Sequence, residues 1–472
     1  MLWVPVDRSS DNPLYRQIYD QIRAHILNGH IKIGEKLPPT RALASNLGVS
    51  RNVIIEAYDQ LRAEGFIESR QGASTYVAEG TFLEEFQAIE PAGPDFPIPR
   101  TKEDNVIDFR SGIPLLNSFP RKIWECATRR AISEAPDAVF GYGSPEGLPE
   151  LRHILSRYLV KTRGLRCRPD QIVITTGATQ AFTLITRLLL SPETDVVIED
   201  PVTYEIPNIF SLSDCSVVPV PVDEYGMRTD LLPLDKKPGI VFVTPSHQFP
   251  IGGTLPIQRR IQLIQFSRKS GCYIVEDDYD SEFCFNSNPV NSLQGLEPEK
   301  VIYVGTFSKI LSPALRLGYL ILPYPLVERC RNLKWYMDLH TSSLEQITLA
   351  CFIEEMSLER HISAMKKIYK RVRQTLIDSL HSFFPGQVRI LGNSAGLHLT
   401  AEFQDVIFSE QLIRKALDQG VRIYPVEQHA ICKNRHLNRI ILGYGNLTQE
   451  KVEEGIRRLR TALEEKKYKT SL

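Results

Sequence analysis

Between residues 171 and 309, four short β-branched runs end in polar or charged residues, and helical patterns separate them. The runs are QIVITTGATQAF, GIVFVTPSHQFPIGG, CYIVEDDYDSEF and VIYVGTFSK. Strands that alternate with helices predict an α/β domain with a mainly parallel sheet. In open sheets of this kind ligands bind beyond the carboxyl ends of the strands, so the four polar ends are expected at one site. They are Ala178 and Thr179 at a helix mouth, Gln248 beside His247 in a Pro- and Gly-rich loop, Asp277 and Tyr279, and Thr306, Ser308 and Lys309.

Composition breaks once, at residues 79–105, where four prolines and many acids occur without a sustained period. This stretch reads as an extended linker between a helical domain at 1–78 and the α/β domain at 106–472. A chain of 472 residues exceeds what one core usually supports, consistent with that division. With 42% apolar and 24% charged residues it has the composition of an ordinary soluble protein, and 56 basic against 56 acidic residues give no electrostatic hint of a partner. Asp7, Arg8 and Asp11 interrupt the apolar run a signal peptide needs, and no stretch suits a membrane helix. The eight cysteines contain no C-x-x-C pair, so neither a metal site nor a disulfide framework is expected, and the reducing cytoplasm is the expected location.

In the first domain, Leu14, Ile18, Ile22 and Ile26 recur every four residues and predict a helix that stops near Gly29. A second short helix opens at the N-cap candidate Thr40 and closes at Gly48; a third starts after Ser50 and ends at Gly65. Two helices joined by a tight turn form a helix-turn-helix, whose second helix enters the major groove. Arg51 and Asn52 lie in the first turn of that helix, and two strands about Gly72 suggest a wing. The segments PLYRQI, GEKLPPTRALASNLGVSRNVIIEAY and RQGASTYV closely resemble the GntR-type winged helix-turn-helix. That resemblance implies promoter contacts from Arg41, Ser50, Arg51 and Asn52, with the wing near Gly72. The segment holds nine basic and eight acidic residues, so one copy attracts phosphate weakly and two copies are expected to bind together.

The strand-end groups of the large domain suit one cofactor. A buried lysine such as Lys309 is a nucleophile toward an aldehyde, and a carboxylate such as Asp277 can keep a pyridine nitrogen protonated. Tyr279 and Gln248 are candidates for a ring hydroxyl; the N–H groups of Ala178 and Thr179, the hydroxyls of Thr306 and Ser308, and Arg316 are candidates for a phosphate. Together they form an inventory for pyridoxal 5'-phosphate. From about Ile107 onward, YGSPEGLPELR, TTGATQA, EDPVTYE, TPSHQFPIGG, EDDYDSEF and GTFSKILSPALRLGY resemble the fold-type-I aspartate aminotransferase-like enzymes. The resemblance implies that Lys309 is the Schiff-base lysine, Asp277 the pyridine partner, Tyr204 the ring-stacking residue, and Tyr142 a contributor to the site of a partner subunit in a homodimer. The chain departs from that pattern at NRIILGYG, where Ile441 stands in place of the carboxylate-binding arginine; Arg439, on the same strand face, is the expected substitute.

The two halves in this order resemble the MocR/GabR family of transcriptional regulators. The expected function is therefore a DNA-binding regulator whose aminotransferase-like domain senses an amino compound or pyridoxal phosphate itself. An active aminotransferase with a secondary DNA-binding role is the alternative; a protein-binding winged helix on a degenerate scaffold is a third reading.

Overall fold

The computed structural model describes residues 4–70, 74–83, 105–285 and 290–464. The chain divides into two compact units, Met1–Lys102 and Glu103–Leu472. No helix among the described residues is long and apolar enough to cross a membrane.

The small unit holds helices α1 (Leu14–Leu27), α2 (Thr40–Leu47) and α3 (Arg51–Ala63), and strands β1 (Ile67–Arg70) and β2 (Ser74–Val77). The four-residue spacing in α1 buries Ile18, Ile22 and Ile26 against Ile54, Tyr58 and Leu61 of α3, while Leu14 is half-buried. Each such aliphatic side chain contributes roughly 1.5–3 kcal/mol when fully removed from water. Gly48 ends α2 in the left-handed region, at φ 62°, where a glycine is least strained. Thr40 is the first helical residue of α2 and Pro39 occupies the N-cap position, one residue earlier than the sequence suggested. Proline is well suited there, since its fixed φ leads into the helix and no N–H is lost from the ladder. Strands β1 and β2 pair antiparallel, from Ile67 with Val77 to Arg70 with Ser74; Gly72 lies outside the described residues.

In the large unit β3 (Ile107–Asp108) precedes α4 (Arg121–Glu134) and α5 (Pro149–Arg163). There follow β4 (Ile172–Thr175), α6 (Ala178–Leu189), β5 (Asp195–Asp200), α7 (Glu205–Ser211), β6 (Ser216–Asp223), β7 (Gly226–Met227), β8 (Ile240–Val243), α8 (Ile257–Ser270), β9 (Tyr273–Asp278), β10 (Val301–Thr306) and β11 (Gly318–Ile321). The main sheet has the order β4-β11-β10-β9-β8-β5-β6-β7. Strands β10, β9, β8, β5 and β6 pair in parallel, whereas β11 runs antiparallel to both β10 and β4. The carboxyl ends of β4, β5, β8, β9 and β10 therefore share one edge. Strands β4, β8 and β10 are buried throughout, as helices on both faces of a parallel sheet require.

The alternation of side chains sorts each strand between two cores: Ile302 and Val304 enter the cluster with Phe182 and Val275, and Tyr303 enters the other with Tyr319 and Phe283. After the long helix Ser357–Phe383, β12 (Val388–Leu391), β13 (His398–Phe403), β15 (Tyr424–Pro425) and β16 (Arg439–Gly443) form an antiparallel sheet in the order β12-β13-β16-β15. Strand β14 (Val421–Arg422) instead pairs in parallel with β3, Ile107 lying opposite Val421.

Candidate functional site

The shared carboxyl edge opens into a cleft of about 710 Å³. Ala178, Thr179, Asp277, Tyr279, Thr306 and Ser308 all line it, and so do Tyr204, Lys309 and Arg316. Helix α6 begins directly after Gly177, whose φ of +99° turns the chain out of β4 and leaves the first helical N–H groups without intrahelical partners. Arg316 stands over that turn: a Cβ at Gly177 would lie 2.7 Å from its Nη2, which donates to the Thr176 carbonyl at 2.8 Å. The Thr306 hydroxyl donates to the Ser308 oxygen at 3.1 Å. Helix N-terminus, two hydroxyls and a guanidinium make an anion cradle.

Lys309 follows β10 by three residues, and its amine lies above the α-carbon of Gly112, where an added Cβ would be 2.8 Å from Nζ. Burial lowers its pKa, and the charges of Asp280, Asp277 and Glu205 oppose that shift. The strand period explains how the acidic run on β9 is divided. Glu276 and Asp278 point to the face away from Asp277. There Asp278 holds Arg163 at 2.6 Å, and Glu276 accepts from the Leu293 and Gln294 amides at 2.9 and 3.0 Å. Asp277 alone turns into the cleft. Burial first, then the neighbouring Asp278, pushes its carboxyl up to about 8, while Lys309 pulls it down. No donor among the described residues hydrogen-bonds this carboxylate, so it could accept a cationic N–H from a ring held in the cleft. Tyr279 donates its hydroxyl to the His247 carbonyl at 2.9 Å.

Two expected groups are elsewhere. Gln248 is fully buried below the cleft; its amide donates to the carbonyls of Pro201 and Phe249 at 2.9 and 2.6 Å and accepts from the Ile251 amide at 3.1 Å. It braces the loop, and its neighbour Phe249 lines the cleft instead. Arg439 lies opposite Glu402 across the β13–β16 pairing and is neutralised by it at 2.7 Å, so it is not a cation of the cleft. Ile441, on the same face, packs with Ile251, Leu391 and Val426. Tyr142 is 82% exposed, with its ring beside His340, and does not line the cleft of its own chain. In the small unit Arg41, Ser50, Arg51 and Asn52 are exposed around the first turns of α2 and α3.

The cleft also contains residues the sequence did not single out. Arg110, Ser111 and Gly112 arrive on the segment after β3, and Glu205 opens α7. His398 comes from β13, and the Val202 amide, donating to the His429 carbonyl at 3.2 Å, fixes His429 at the rim. Burial lowers the pKa of His398 well below its usual value and that of His429 to about 4, so both rings are neutral near pH 7. His247, Asp280 and His398 bring ligating atoms within 4.8 Å of one another. Here the Asp280 carboxylate accepts the Leu397 amide at 3.2 Å and faces the His247 ring at 3.1 Å. The segment around Gly112 has no local signal of its own: the pairing of β3 with β14, and the Gly443 amide donating to the Phe109 carbonyl at 2.8 Å, bring it to the lysine.

Residues 104–459 match the family model for aminotransferase class I and II, and residues 14–77 match that for bacterial regulatory proteins of the gntR family. The chain is 35% identical to an HTH-type transcriptional regulator of Bacillus subtilis (strain 168), YhdI, over 97% of each chain. It is 33% identical to the probable rhizopine catabolism regulatory protein MocR of Rhizobium meliloti, over 97% of this chain and 95% of that one. Among solved structures, the kynurenine aminotransferase of Pyrococcus horikoshii in complex with PMP is 28% identical, with a TM-score of 0.72 over 77% of this chain and 91% of that one.

Proposed function

The chain belongs to the MocR/GabR-type transcriptional regulators, and on that premise we propose how its residues divide the work of a pyridoxal-phosphate-dependent, DNA-binding regulator. The observation that carries the reading is the convergence of Lys309, Asp277 and the α6 anion cradle in one cleft, in a chain that also bears a gntR-type unit. When bound, pyridoxal phosphate supplies an aldehyde that amines capture and a ring that withdraws electrons. Lys309, with its pKa lowered by burial, offers its amine to that aldehyde; Asp277 holds a proton on the ring nitrogen; the α6 N–H groups, Thr306, Ser308 and Arg316 hold the phosphate. Tyr204, an exposed residue just before α7 that lines the cleft, would cover the ring, as the resemblance implies. The full-length relatives are regulators, which disfavours an enzyme with DNA binding as a secondary role.

The finer assignments rest on the same residues. Residues 1–78 form the DNA-binding head, 79–105 the linker, and 106–472 the sensing domain. Arg51 and Asn52 read the promoter from the first turn of α3, with Arg41 and Ser50 nearby. Two chains pair through the large domain, which gives the exposed Tyr142 a partner's cleft to reach and supplies two heads to one operator. The ligand is an amino compound or pyridoxal phosphate itself, and it switches DNA binding only as far as it favours one arrangement of the heads. The test measures promoter affinity of the purified protein with cofactor, without it, and with a panel of amines. The expected result is a change in affinity with at least one of these states. Equal affinity in all of them, or equal affinity for promoter and random DNA, overturns the reading.

A further inference from the structure

The cleft contains one cation and one anion that binding the cofactor does not use. If the preceding assignment of the cofactor is taken as the starting point, Asp277 answers the ring nitrogen, Arg316 the phosphate, and Lys309 the aldehyde. His398 and His429 carry no charge near pH 7. What is left among the charged side chains lining the cleft is Arg110 and Glu205.

Arg110 is a built group rather than a stray surface charge. Its Nε donates to the Tyr424 hydroxyl at 3.1 Å, and that hydroxyl donates to Asp108 at 2.9 Å. Its guanidinium also lies over the Tyr424 ring, 5.9 Å from the centroid. Asp108 shares one carboxylate between two guanidinium groups, Arg110 at 3.9 Å and Arg422 at 3.5 Å, so the pair of arginines keeps a net positive charge. Two residues further on, Gly112 touches the Lys309 amine, so Arg110 enters the cleft on the reacting side. Glu205 opens α7 next to Tyr204; its carboxylate faces the hydroxyls of Thr203 and Tyr204, and no cation is paired with it among the described residues. Its charge is felt by both Lys309 and His429.

We propose that the effector is a diamino monocarboxylic acid: one amine reacts at the cofactor, Arg110 takes the carboxylate, and Glu205 takes the second amine, held as an ammonium. The reacting amine replaces that of Lys309 on the aldehyde carbon. One carbon–nitrogen link forms and one breaks, and the protons shed by the incoming amine pass to Lys309, which leaves as a free amine. A carboxylate and an ammonium then remain on the ligand, matching the one guanidinium and the one carboxylate left in the cleft. This assignment also accounts for the loss of arginine at Ile441, since Arg110, stacked on the Tyr424 that pairs with Ile441, takes the carboxylate instead.

The test is a spectral titration of the cofactor band of the full-length holo-protein. Ornithine and lysine are compared with norvaline and norleucine, which lack the second amine, and with putrescine and cadaverine, which lack the carboxylate. At least one diamino acid is expected to bind about tenfold or more tightly than both of its analogues, about 1.4 kcal/mol or more. Arg110→Gln should remove the advantage over the diamine and Arg110→Lys should restore part of it; Glu205→Gln should remove the advantage over the monoamino acid. A norvaline- or putrescine-type ligand that matches its diamino counterpart overturns the proposal, as does a band that no compound shifts. A wild-type protein with no cofactor band before any amine is added contradicts the cofactor reading itself, and so is told apart from a failure of this one.

Discussion

The two units use opposite surroundings for their charged residues. In the small unit Arg41 and Arg51, with the polar Asn52, stand in water at the starts of helices whose packing faces are built from Leu43, Ile54 and Tyr58. In the large unit Lys309 and Asp277 are enclosed, and burial moves the pKa of each toward the neutral form. A polyanion is attracted by exposed charge that salt can screen, whereas a covalent cofactor needs an amine with a free electron pair and a carboxylate that welcomes a cation. The same residue types thus do different work according to how much water reaches them.

The largest expected effect separates the units outright. Lys309→Ala should abolish borohydride-trapped phosphopyridoxyl on the chain while leaving the small unit folded. An adduct that persists on another lysine would break the comparison, because burial at this position would no longer matter. Next in size is Arg51→Ala, which should weaken promoter binding by about 1–3 kcal/mol if the side chain reads a base edge and leave the cofactor spectrum as it is. A variant that loses cofactor would show that the two units do not act on separate chemistry.

The smallest effect concerns stability. Burial pushes the Asp277 carboxyl up to about 8, far above the ordinary carboxylate range, so its contribution to stability is present at low pH and lost as pH rises toward that value. Without cofactor, Asp277→Asn should therefore be closest to the parent in stability near pH 4 and exceed it by a margin that grows toward pH 8. Thermal melts of the cofactor-free proteins at the two pH values measure this, and a variant no more stable at pH 8 would mean that the carboxylate is already compensated by its surroundings.

Much of this was legible in the sequence where information is local. The spacing of Ile18, Ile22 and Ile26, the stop at Gly48 and the polar ends of four buried runs follow from chain geometry alone. The rest was set by contacts that exist only in the folded chain. Arg439 shares a face with Ile441, yet the register opposite Glu402 decides its charge. Gln248 belongs to the right loop but uses its amide on Pro201, Phe249 and Ile251, which the sequence cannot show. Arg110 and Gly112 reach the cleft because β3 joins β14 and Phe109 is bound to Gly443 of β16, and Glu205 and His429 because helix starts and loops fold over the same edge.

The short strand β3 has a consequence for signalling. The described chain of the large unit resumes at Asn105, runs through β3, and within a few residues reaches Arg110 and Gly112. The strand therefore makes the backbone that leads into the large unit and the wall of the cleft one continuous piece of chain. A displacement of this wall is felt at β3 through covalent bonds, with no need for a message to cross the sheet.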